Sequence, residues 1–236
     1  GDSLVISRRD QRLASMIYSV KLQMETSAAC QKVTPACGAD VDGAVRILRA
    51  GGVVGVPTDT LYGLAADATN AKAISRVFRI KGRRPTQGLP ILLADISDMD
   101  KYTLGLPEIA RNMAHSFFPG PLTLVLHSTE LIPEITRGGM STVAVRIPDQ
   151  WVPREIVRRL GAPITGTSAN KSGSPDPTTA EQVRQQLGQE LDLIVDTGDS
   201  KGVESSIVDV TVTPPILLRE GALKLKEIED ACGSGG

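Results

Sequence analysis

Short apolar segments alternate with amphipathic helical segments along most of this chain, and this alternation limits the fold more than any other feature. Apolar residues recur at helical spacing before Gly51 and again before Gly82, and a continuous apolar run, 53–56, lies between these two segments. Such alternation predicts an α/β domain. Consecutive strand-like segments without a helix between them, at 122–147 and 206–218, argue against a purely parallel sheet. We therefore predict a twisted, mixed, open sheet with flanking helices.

The predicted boundaries follow from capping and turn residues. Helices are predicted at 40–51, 70–82, 107–118, 154–160, 179–187 and 225–231. Strands are predicted at 53–56, 89–93, 122–126, 142–147, 193–195, 206–210 and 216–218. One further strand, after the helix 154–160, is predicted to end at 165. We expect an N-terminal extension with little order at 1–38, one domain at 39–231 and a short tail at 232–236.

Composition narrows the class of protein. Hydrophobic residues make up 41% of the 236 residues but aromatic residues only 3%, so the core must be aliphatic. A formal net charge of −1 gives no global attraction to nucleic acid or to an anionic membrane, so any RNA contact requires a local basic patch. No apolar run approaches the roughly 20 residues that span a bilayer.

The cysteines indicate the compartment. Cys30, Cys37 and Cys232 form no metal-ligand pattern, and their odd number favours free thiols in a reducing compartment. We expect a cytoplasmic protein. The alternative is a mitochondrion or chloroplast, because residues 1–35 are basic, contain serine and are poor in acids, as in a transit segment.

Polar side chains follow the apolar run that ends at Val56. Thr58, Asp59, Thr60 and Tyr62 come directly after Pro57. Ligands of α/β proteins sit beyond the carboxyl ends of strands, so this segment is a candidate site. The alternative is a turn in which Thr and Asp satisfy their own backbone.

A cationic cluster follows one helix later, at Lys81, Arg83 and Arg84. Arginine and lysine in such a cluster bind phosphate or carboxylate groups. The alternative is a solvated helix end, where cations complement the helix dipole.

Further polar clusters occur at the predicted ends of later strands. The segment 165–170 and the loop 171–175 are rich in small and hydroxyl residues that let a phosphate approach the backbone. A glycine turn at 202–206 leads into another strand, and Arg219 closes the last one. Arg146 interrupts an apolar strand, and a buried arginine is costly without a partner, so we expect it to meet a carboxylate or a phosphate.

The remaining chemistry is restricted by what the sequence lacks. It contains no GxxxxGK[ST] and no GxGxxG motif. His115 and His127 fall outside every cluster, so a histidine-based triad or a zinc site is not expected. No protein-held metal is predicted; Mg²⁺ would arrive with nucleotide phosphates.

Together these segments resemble the YrdC-type L-threonylcarbamoyladenylate synthases. The matching segments, in the order of the family, are PTDTLYGL (57–64), KGRRPTQGL (81–89), FPGPLTLVL (118–126), TVAVRIP (142–148), TSAN (167–170), GVESSIVD (202–209) and PPILLREG (214–221). The resemblance covers about residues 40–231. It implies a twisted α/β sheet with a deep concave cavity, a fold also found in a riboflavin-pathway synthase.

The resemblance also implies an activity and its residues. L-Threonine, bicarbonate and ATP give threonylcarbamoyl-AMP and pyrophosphate, which a tRNA-modifying threonylcarbamoyl transferase complex then uses on adenosine beside the anticodon. Lys81 and Arg83 would be catalytic by neutralising phosphate charge. The resemblance assigns L-threonine to Thr60, Arg146 and Ser205, and ATP, with Mg²⁺, to Arg83, Gln87, Thr142, Ser168, Asn170, Asp176 and Arg219.

Two positions depart from the family pattern. Gln87-Gly88-Leu89 stands where many members have Asn before Pro-Leu, and Leu92 stands where many have a histidine that touches threonine. Two alternatives remain open: a non-catalytic protein of this fold that binds double-stranded RNA or tRNA, and a carbamoyl-adenylate transferase of the hydrogenase-maturation type. The second would require zinc-finger cysteines, which three scattered cysteines do not supply.

Overall fold

The computed structural model describes residues 33–35 and 38–233 of the chain, with side chains described for 40–231. Most of the predicted N-terminal extension, including Cys30, and most of the predicted tail lie outside the described residues. Strand Val33–Pro35 falls within the predicted extension and pairs in parallel with Leu193–Asp196.

The described strands form two mixed sheets. In chain order the strands are β1 (Val33–Pro35), β2 (Val54–Val56), β3 (Gly63–Ala65), β4 (Ile91–Leu92), β5 (Leu122–His127), β6 (Thr142–Arg146), β7 (Ile164–Thr165), β8 (Thr167–Ser168), β9 (Leu193–Asp196), β10 (Ser206–Asp209) and β11 (Ile216–Arg219). One sheet has the order β1-β9-β2-β3-β8, and the other has the order β11-β10-β5-β6-β4-β7. The predicted α/β class with mixed pairing is confirmed. The prediction of one sheet is wrong: β7 and β8 are adjacent in the chain but belong to different sheets.

Helices cover both faces of the five-stranded sheet. The described α-helices are α1 (Gly38–Arg49), α2 (Ala71–Lys81), α3 (Met99–Tyr102), α4 (Glu108–Phe117), α5 (Glu134–Arg137), α6 (Trp151–Leu160), α7 (Ala180–Leu187) and α8 (Leu225–Gly233). Helices α2 and α7 pack in one aliphatic cluster and α1 and α6 in another, on opposite faces of this sheet.

Helices cover one face of the six-stranded sheet, and on the opposite face only β4 and β7 pack in the cluster that contains α1 and α6. Along β5, Leu122, Leu124 and Leu126 are buried in the cluster that also contains residues of α4 and α8. Thr123 and Val125 alternate with them and point to the opposite face, as the two-residue period of a strand requires. That opposite face carries the cavity described below.

The ends of α2 follow the predicted signals. Asn70 is the N-cap, and its side chain accepts hydrogen bonds from the backbone N–H groups of Lys72 and Ala73. Gly82 ends the helix with φ of 62°, a left-handed conformation that glycine adopts at low cost. This helix end carries Lys81 and holds Arg83 one residue beyond it.

Several predicted boundaries move for local reasons. Helix α1 begins at Gly38, so Asp40 lies in its first turn and is not the cap. Helix α6 begins at Trp151, because Gln150 caps it and a first turn tolerates Pro153. The strand predicted at 89–93 is reduced to β4, since Pro90 has no N–H to donate. Strand β3 was not predicted, because its three residues are buried on both faces and show no alternation.

Among the described residues, no helix is both long and apolar enough to cross a membrane.

Candidate active site

A cavity of about 400 Å³ lies on the uncovered face of the six-stranded sheet. The turn after β2 and strands β3 and β8 of the other sheet close it from the opposite side. Its lining comprises Thr58, Thr60, Leu61, Tyr62, Gly63, Arg83, Gly88, Pro90, Leu92, Thr123, Val125, Ala144, Arg146, Gly166, Thr167, Ser168, Glu204, Ser205, Ile207, Leu218 and Arg219. This volume falls in the range of small-molecule sites.

Arg146 is a buried cation in the cavity wall. Its Nη2 forms an ion pair with Asp59, its Nη1 donates to Thr60 Oγ1 at 2.7 Å, and its Nε donates to Gly120 O at 3.1 Å. The predicted carboxylate partner is therefore confirmed, and it is Asp59. Burial lowers the pKa of Arg146, and Asp59 opposes this effect. Three of the five guanidinium N–H groups donate to the protein in these bonds, which leaves two for a ligand.

The turn after β2 is held by its own threonine. Thr58 Oγ1 donates to Leu61 O at 2.6 Å and accepts from the backbone N–H groups of Thr60 and Leu61, both at 3.1 Å. The segment is therefore a self-satisfied turn that also faces the cavity. The two interpretations of this segment, as a turn that satisfies its own backbone and as part of a binding site, are therefore compatible.

Tyr62 fastens this turn to the end of β9. Its hydroxyl lies 2.8 Å from Gly198 O and 3.2 Å from Asp196 Oδ1. Burial and the neighbouring Asp196 carboxylate raise the pKa of Tyr62. The phenol therefore stays protonated at neutral pH and acts as a hydrogen-bond donor.

Ser205, directly before β10, lies beside Arg219, the last residue of β11. Ser205 Oγ lies 2.8 Å from Thr123 Oγ1 and 3.3 Å from Arg219 Nη2. Arg219 also donates through Nε to Ser205 O at 3.0 Å and forms an ion pair with Glu204. This cluster places hydroxyl groups and a cation at one end of the cavity.

Arg83 has an unsatisfied donor. Its Nη2 donates to Gly88 O at 3.2 Å, but its Nε is buried without a hydrogen-bond partner. Burial also lowers the pKa of Arg83. A buried donor without a partner is costly. Because this Nε has almost no accessible surface, an anion in the cavity would meet the terminal N–H groups of Arg83.

Lys81 is buried behind the cavity wall. Its Nζ donates to Ser168 O at 2.6 Å, Asn170 Oδ1 at 2.9 Å and Asn170 O at 3.0 Å. Burial, followed by the charge of Arg83, lowers the pKa of Lys81 to about 8, and Asp176 opposes the shift. The ammonium group therefore binds residues 168–170, at the end of β8.

Leu92 occupies the cavity floor next to Gly166. A Cβ atom on Gly166 would lie 2.6 Å from Leu92 Cδ2, so glycine at 166 is the residue that admits Leu92 there. Leu92 is also the β4 partner of Arg146. An apolar side chain thus lies beside the buried guanidinium.

The structure brings only part of the predicted set to the cavity wall. Thr60, Arg83, Arg146, Ser168, Ser205 and Arg219 line it, whereas Lys81, Gln87, Thr142, Asn170 and Asp176 are outside its lining. Lys81 and Asn170 contact each other, and both contact Ser168. Thr142 lies on the cavity face of β6 but two residues beyond Ala144, and Gln87 and Asp176 are exposed.

Sequence reasoning missed Thr123 and Glu204 as site residues. Both lie inside segments that resemble the family, but each looked like ordinary strand or turn sequence. The alternation of Thr123 with three buried leucines is the signal that could have found it. Glu204 lies in the polar cluster 202–206 that the sequence indicated, but its role as the partner of Arg219 requires the fold.

The described residues contain no group of three or more His, Cys, Asp or Glu side chains that could hold a metal ion. The acidic groups nearest the cavity, Asp59 and Glu204, are paired with arginines.

Comparison with known proteins agrees with the fold. Residues 46–221 match the Sua5/YciO/YrdC family, which carries the description "Telomere recombination". The chain belongs to this family.

Relatives and solved structures carry more specific names. The chain is 40% identical over 191 residues to a threonylcarbamoyl-AMP synthase of Pyrococcus abyssi and 39% identical over 193 residues to one of Bacillus subtilis. Each match covers 80% of this chain and 56% of the relative. A crystal structure of P. abyssi Sua5 complexed with L-threonine has a TM-score of 0.82 and 38% identity, covering 85% of this chain and 59% of that one. The chain therefore spans little more than half the length of these relatives.

Proposed function

We propose that this chain catalyses the formation of threonylcarbamoyl-AMP from L-threonine, bicarbonate and ATP. The threonine amine adds to bicarbonate, and loss of water leaves a carbamate. A carbamate oxygen then attacks the α-phosphorus of ATP, and the bond to the β-phosphate breaks to release pyrophosphate. The names of the relatives and the L-threonine bound to P. abyssi Sua5 support this reaction.

One observation carries the proposal. The cavity combines Arg146 and Arg83, each of which has guanidinium N–H groups that the described hydrogen bonds leave unused. A substrate pair that contains a carboxylate and a phosphate chain supplies acceptors for both. The apolar floor formed by Leu92, Val125 and Ile207 leaves room for less polar groups between them.

Threonine is assigned to the buried end of the cavity. Its carboxylate would accept from the two remaining N–H groups of Arg146, in a charge-assisted pair. Thr60 and Ser205 would orient its polar groups. Leu92 would contact its side chain, in place of the histidine that many family members have.

ATP is assigned to the arginine-lined part of the cavity. Arg83 and Arg219 would meet phosphate oxygens, and Ser168 would contact the nucleotide. Lys81, Gln87, Thr142, Asn170 and Asp176, which are outside the lining, would act as supporting residues around it. Mg²⁺ would enter bound to the phosphates of ATP.

Catalysis would then rest on positioning and electrostatics. The described residues of the cavity include no histidine, and the two carboxylates nearest it are paired, so none is an evident general base. Holding the carbamate next to the α-phosphorus replaces a collision by an intramolecular step. Arg83 would stabilise the charge that develops on the departing pyrophosphate.

The product implies a partner. A mixed anhydride of a carbamate and AMP is reactive and short-lived in water, so we propose that a threonylcarbamoyl transferase complex takes it up and transfers the group to tRNA. Contact with tRNA by this chain itself would require a local basic patch, because its net charge is −1.

The test is a matched pair of variants. Arg83→Ala should lower the rate of threonylcarbamoyl-AMP formation, measured by mass spectrometry, by roughly a hundredfold or more, as removal of a charge-stabilising donor does. Arg79→Ala removes an exposed cation from the same helix end and should leave the rate near that of the wild type. Equal rates for Arg83→Ala and wild type would contradict the assignment.

A further inference from the structure

The hydrogen bonds around Asn170 have only one possible direction. Asn170 Nδ2 lies 2.7 Å from Ser174 O and 3.1 Å from Asp176 Oδ1, and both of these oxygens only accept. The other amide atom, Oδ1, lies 2.9 Å from Lys81 Nζ and 2.8 Å from Ser168 Oγ. Exchanging the amide atoms would bring donor against donor at the ammonium and acceptor against acceptor at Ser174 and Asp176.

This direction decides the role of the Ser168 hydroxyl. Because Asn170 Oδ1 cannot donate, the proton of Ser168 Oγ must point to it. A hydroxyl has one proton and two lone pairs, so Ser168, which lines the cavity, presents lone pairs to it. Such a group accepts a hydrogen bond from a ligand N–H or O–H. It does not donate to a phosphate oxygen.

Lys81 is already saturated within the same network. Its three N–H groups match three loop oxygens, and the residue is 3% exposed. The loop 171–175 also donates two hydrogen bonds to the end of α2. Ser172 N–H donates to Lys81 O at 2.9 Å, and Lys171 Nζ donates to Ile80 O at 2.8 Å. Each of the two segments, the end of α2 and residues 168–172, therefore donates hydrogen bonds to the other, and the Lys81 ammonium is buried between them.

We propose that Lys81 is a positioning residue that acts through Asn170, so that Ser168 meets the nucleoside of the bound nucleotide as a hydrogen-bond acceptor. The ligand group would be a ribose hydroxyl or the exocyclic amine of the base, and the phosphates are left to Arg83 and Arg219. This inference rests on the proposed nucleotide substrate and deepens it. It differs from a direct Lys81–phosphate contact, which would break one of the three loop bonds.

The test separates the nucleoside from the phosphates. Adenosine and pyrophosphate are each titrated against the full chain, with binding followed by ligand-observed NMR. Lys81→Met and Ser168→Ala should each weaken adenosine about tenfold, the value of one hydrogen bond, and leave pyrophosphate within about twofold. Loss of pyrophosphate binding with adenosine unchanged would overturn the proposal, since it indicates direct phosphate contact.

A double-variant cycle tests whether Lys81 acts through Ser168. Residues in one network show coupled effects, so the double variant should bind adenosine about as weakly as the weaker single variant. If the affinity loss of the double variant equals the product of the two single-variant losses, the two residues act independently, which would contradict the network. Lys72→Ala, an exposed lysine on the same helix, is the control and should bind both ligands as the wild type does.

Nucleoside analogues identify the donor group. Wild-type protein should bind one of 2′-deoxyadenosine, 3′-deoxyadenosine or purine riboside about tenfold more weakly than adenosine, and Ser168→Ala should remove that difference. Ser168 is half-buried, so this variant carries little risk of unfolding even if Lys81→Met proves unstable. No discrimination by the wild type would overturn the proposal.

The same experiment distinguishes this inference from the proposed reaction. If the wild type discriminates between adenosine and one analogue as expected but forms no threonylcarbamoyl-AMP, the proposed reaction is contradicted and the inference about Ser168 is not. A wild-type protein that binds neither adenosine nor pyrophosphate would overturn both.

Discussion

At the residue scale, the cavity contains arginines whose partners differ in kind. Arg146 and Arg219 each meet a carboxylate from the turn or strand beside them, whereas the Nε of Arg83 meets nothing. The first two are held in place before any ligand binds, and the third has an interaction to gain on binding. Preorganised cations with unused donors are what an anionic transition state requires.

The Asp59–Arg146 pair is expected to matter for stability as well as for binding. The two side chains are only 5% and 8% exposed, so Asp59→Ala leaves a buried charge without its partner and should cost about 3 kcal/mol of unfolding free energy. Asp100→Ala removes the partner of Arg111 in an exposed pair and should cost at most about 0.5 kcal/mol. Urea denaturation of the full chain measures both, and equal losses would contradict the burial argument.

The lowered pKa of Lys81 predicts a pH dependence of nucleoside binding. In the free protein the ammonium form prevails below about pH 8 and supplies all three loop bonds, while the neutral amine above it has one N–H fewer. Adenosine affinity should therefore fall as the pH rises through about 8. In Lys81→Met the affinity should be weaker and flat across this range. A pH profile that keeps its wild-type shape in Lys81→Met would show that another group titrates.

At the element scale, the site depends on a close backbone contact between the loop 83–88 and the end of α5, which glycines on both sides allow. The loop 83–88 carries Arg83 and packs against the end of α5. A Cβ on Gly88 would lie 2.8 Å from Arg137 O, and one on Gly138 would lie 2.4 Å from Gly88 N. Both positions therefore need glycine for close approach.

Gly138 and Gly139 form a matched pair that tests this contact. Both have positive φ, at 65° and 81°, but a Cβ on Gly139 would meet nothing within 4 Å. Each alanine variant should lose about 1 kcal/mol from backbone strain. Only Gly138→Ala should also weaken pyrophosphate binding, because it displaces the loop that holds Arg83. Equal pyrophosphate affinity in the two variants would contradict the role of this contact.

Elements with strong local signals were predictable from the sequence, and those set by distant pairing were not. Helix α2 was predicted from Asn70 to Gly82 because its caps are local. Strands β3, β7 and β8 are two or three residues long, and only their partners define them. For the site, the position of Arg146 in an apolar strand predicted a buried ionic partner. The identity of that partner, and the Lys81–Asn170–Ser168 network, depend on tertiary contacts across as many as 89 residues of sequence separation.

At the scale of the whole molecule, the cavity exists because two sheets are covered unequally. The five-stranded sheet has helices on both faces, so its contribution to the site is limited to a turn, the edge strand β8 and its neighbour β3. The six-stranded sheet leaves one face open along β5 and β6, and that part of the face supplies Thr123, Ala144 and Arg146. Two substrates can therefore be held between the open face of the six-stranded sheet and the β3–β8 side of the five-stranded sheet.

The most direct test of this account is pyrophosphate release by the full chain in the presence of ATP and Mg²⁺, with threonine and bicarbonate omitted in turn. The account predicts release only when both are present, and loss of release in Arg83→Ala but not in Arg79→Ala. Release that needs neither threonine nor bicarbonate, or no release from a chain that binds ATP tightly, would contradict it. The second outcome is the one expected of a protein of this fold that only binds RNA.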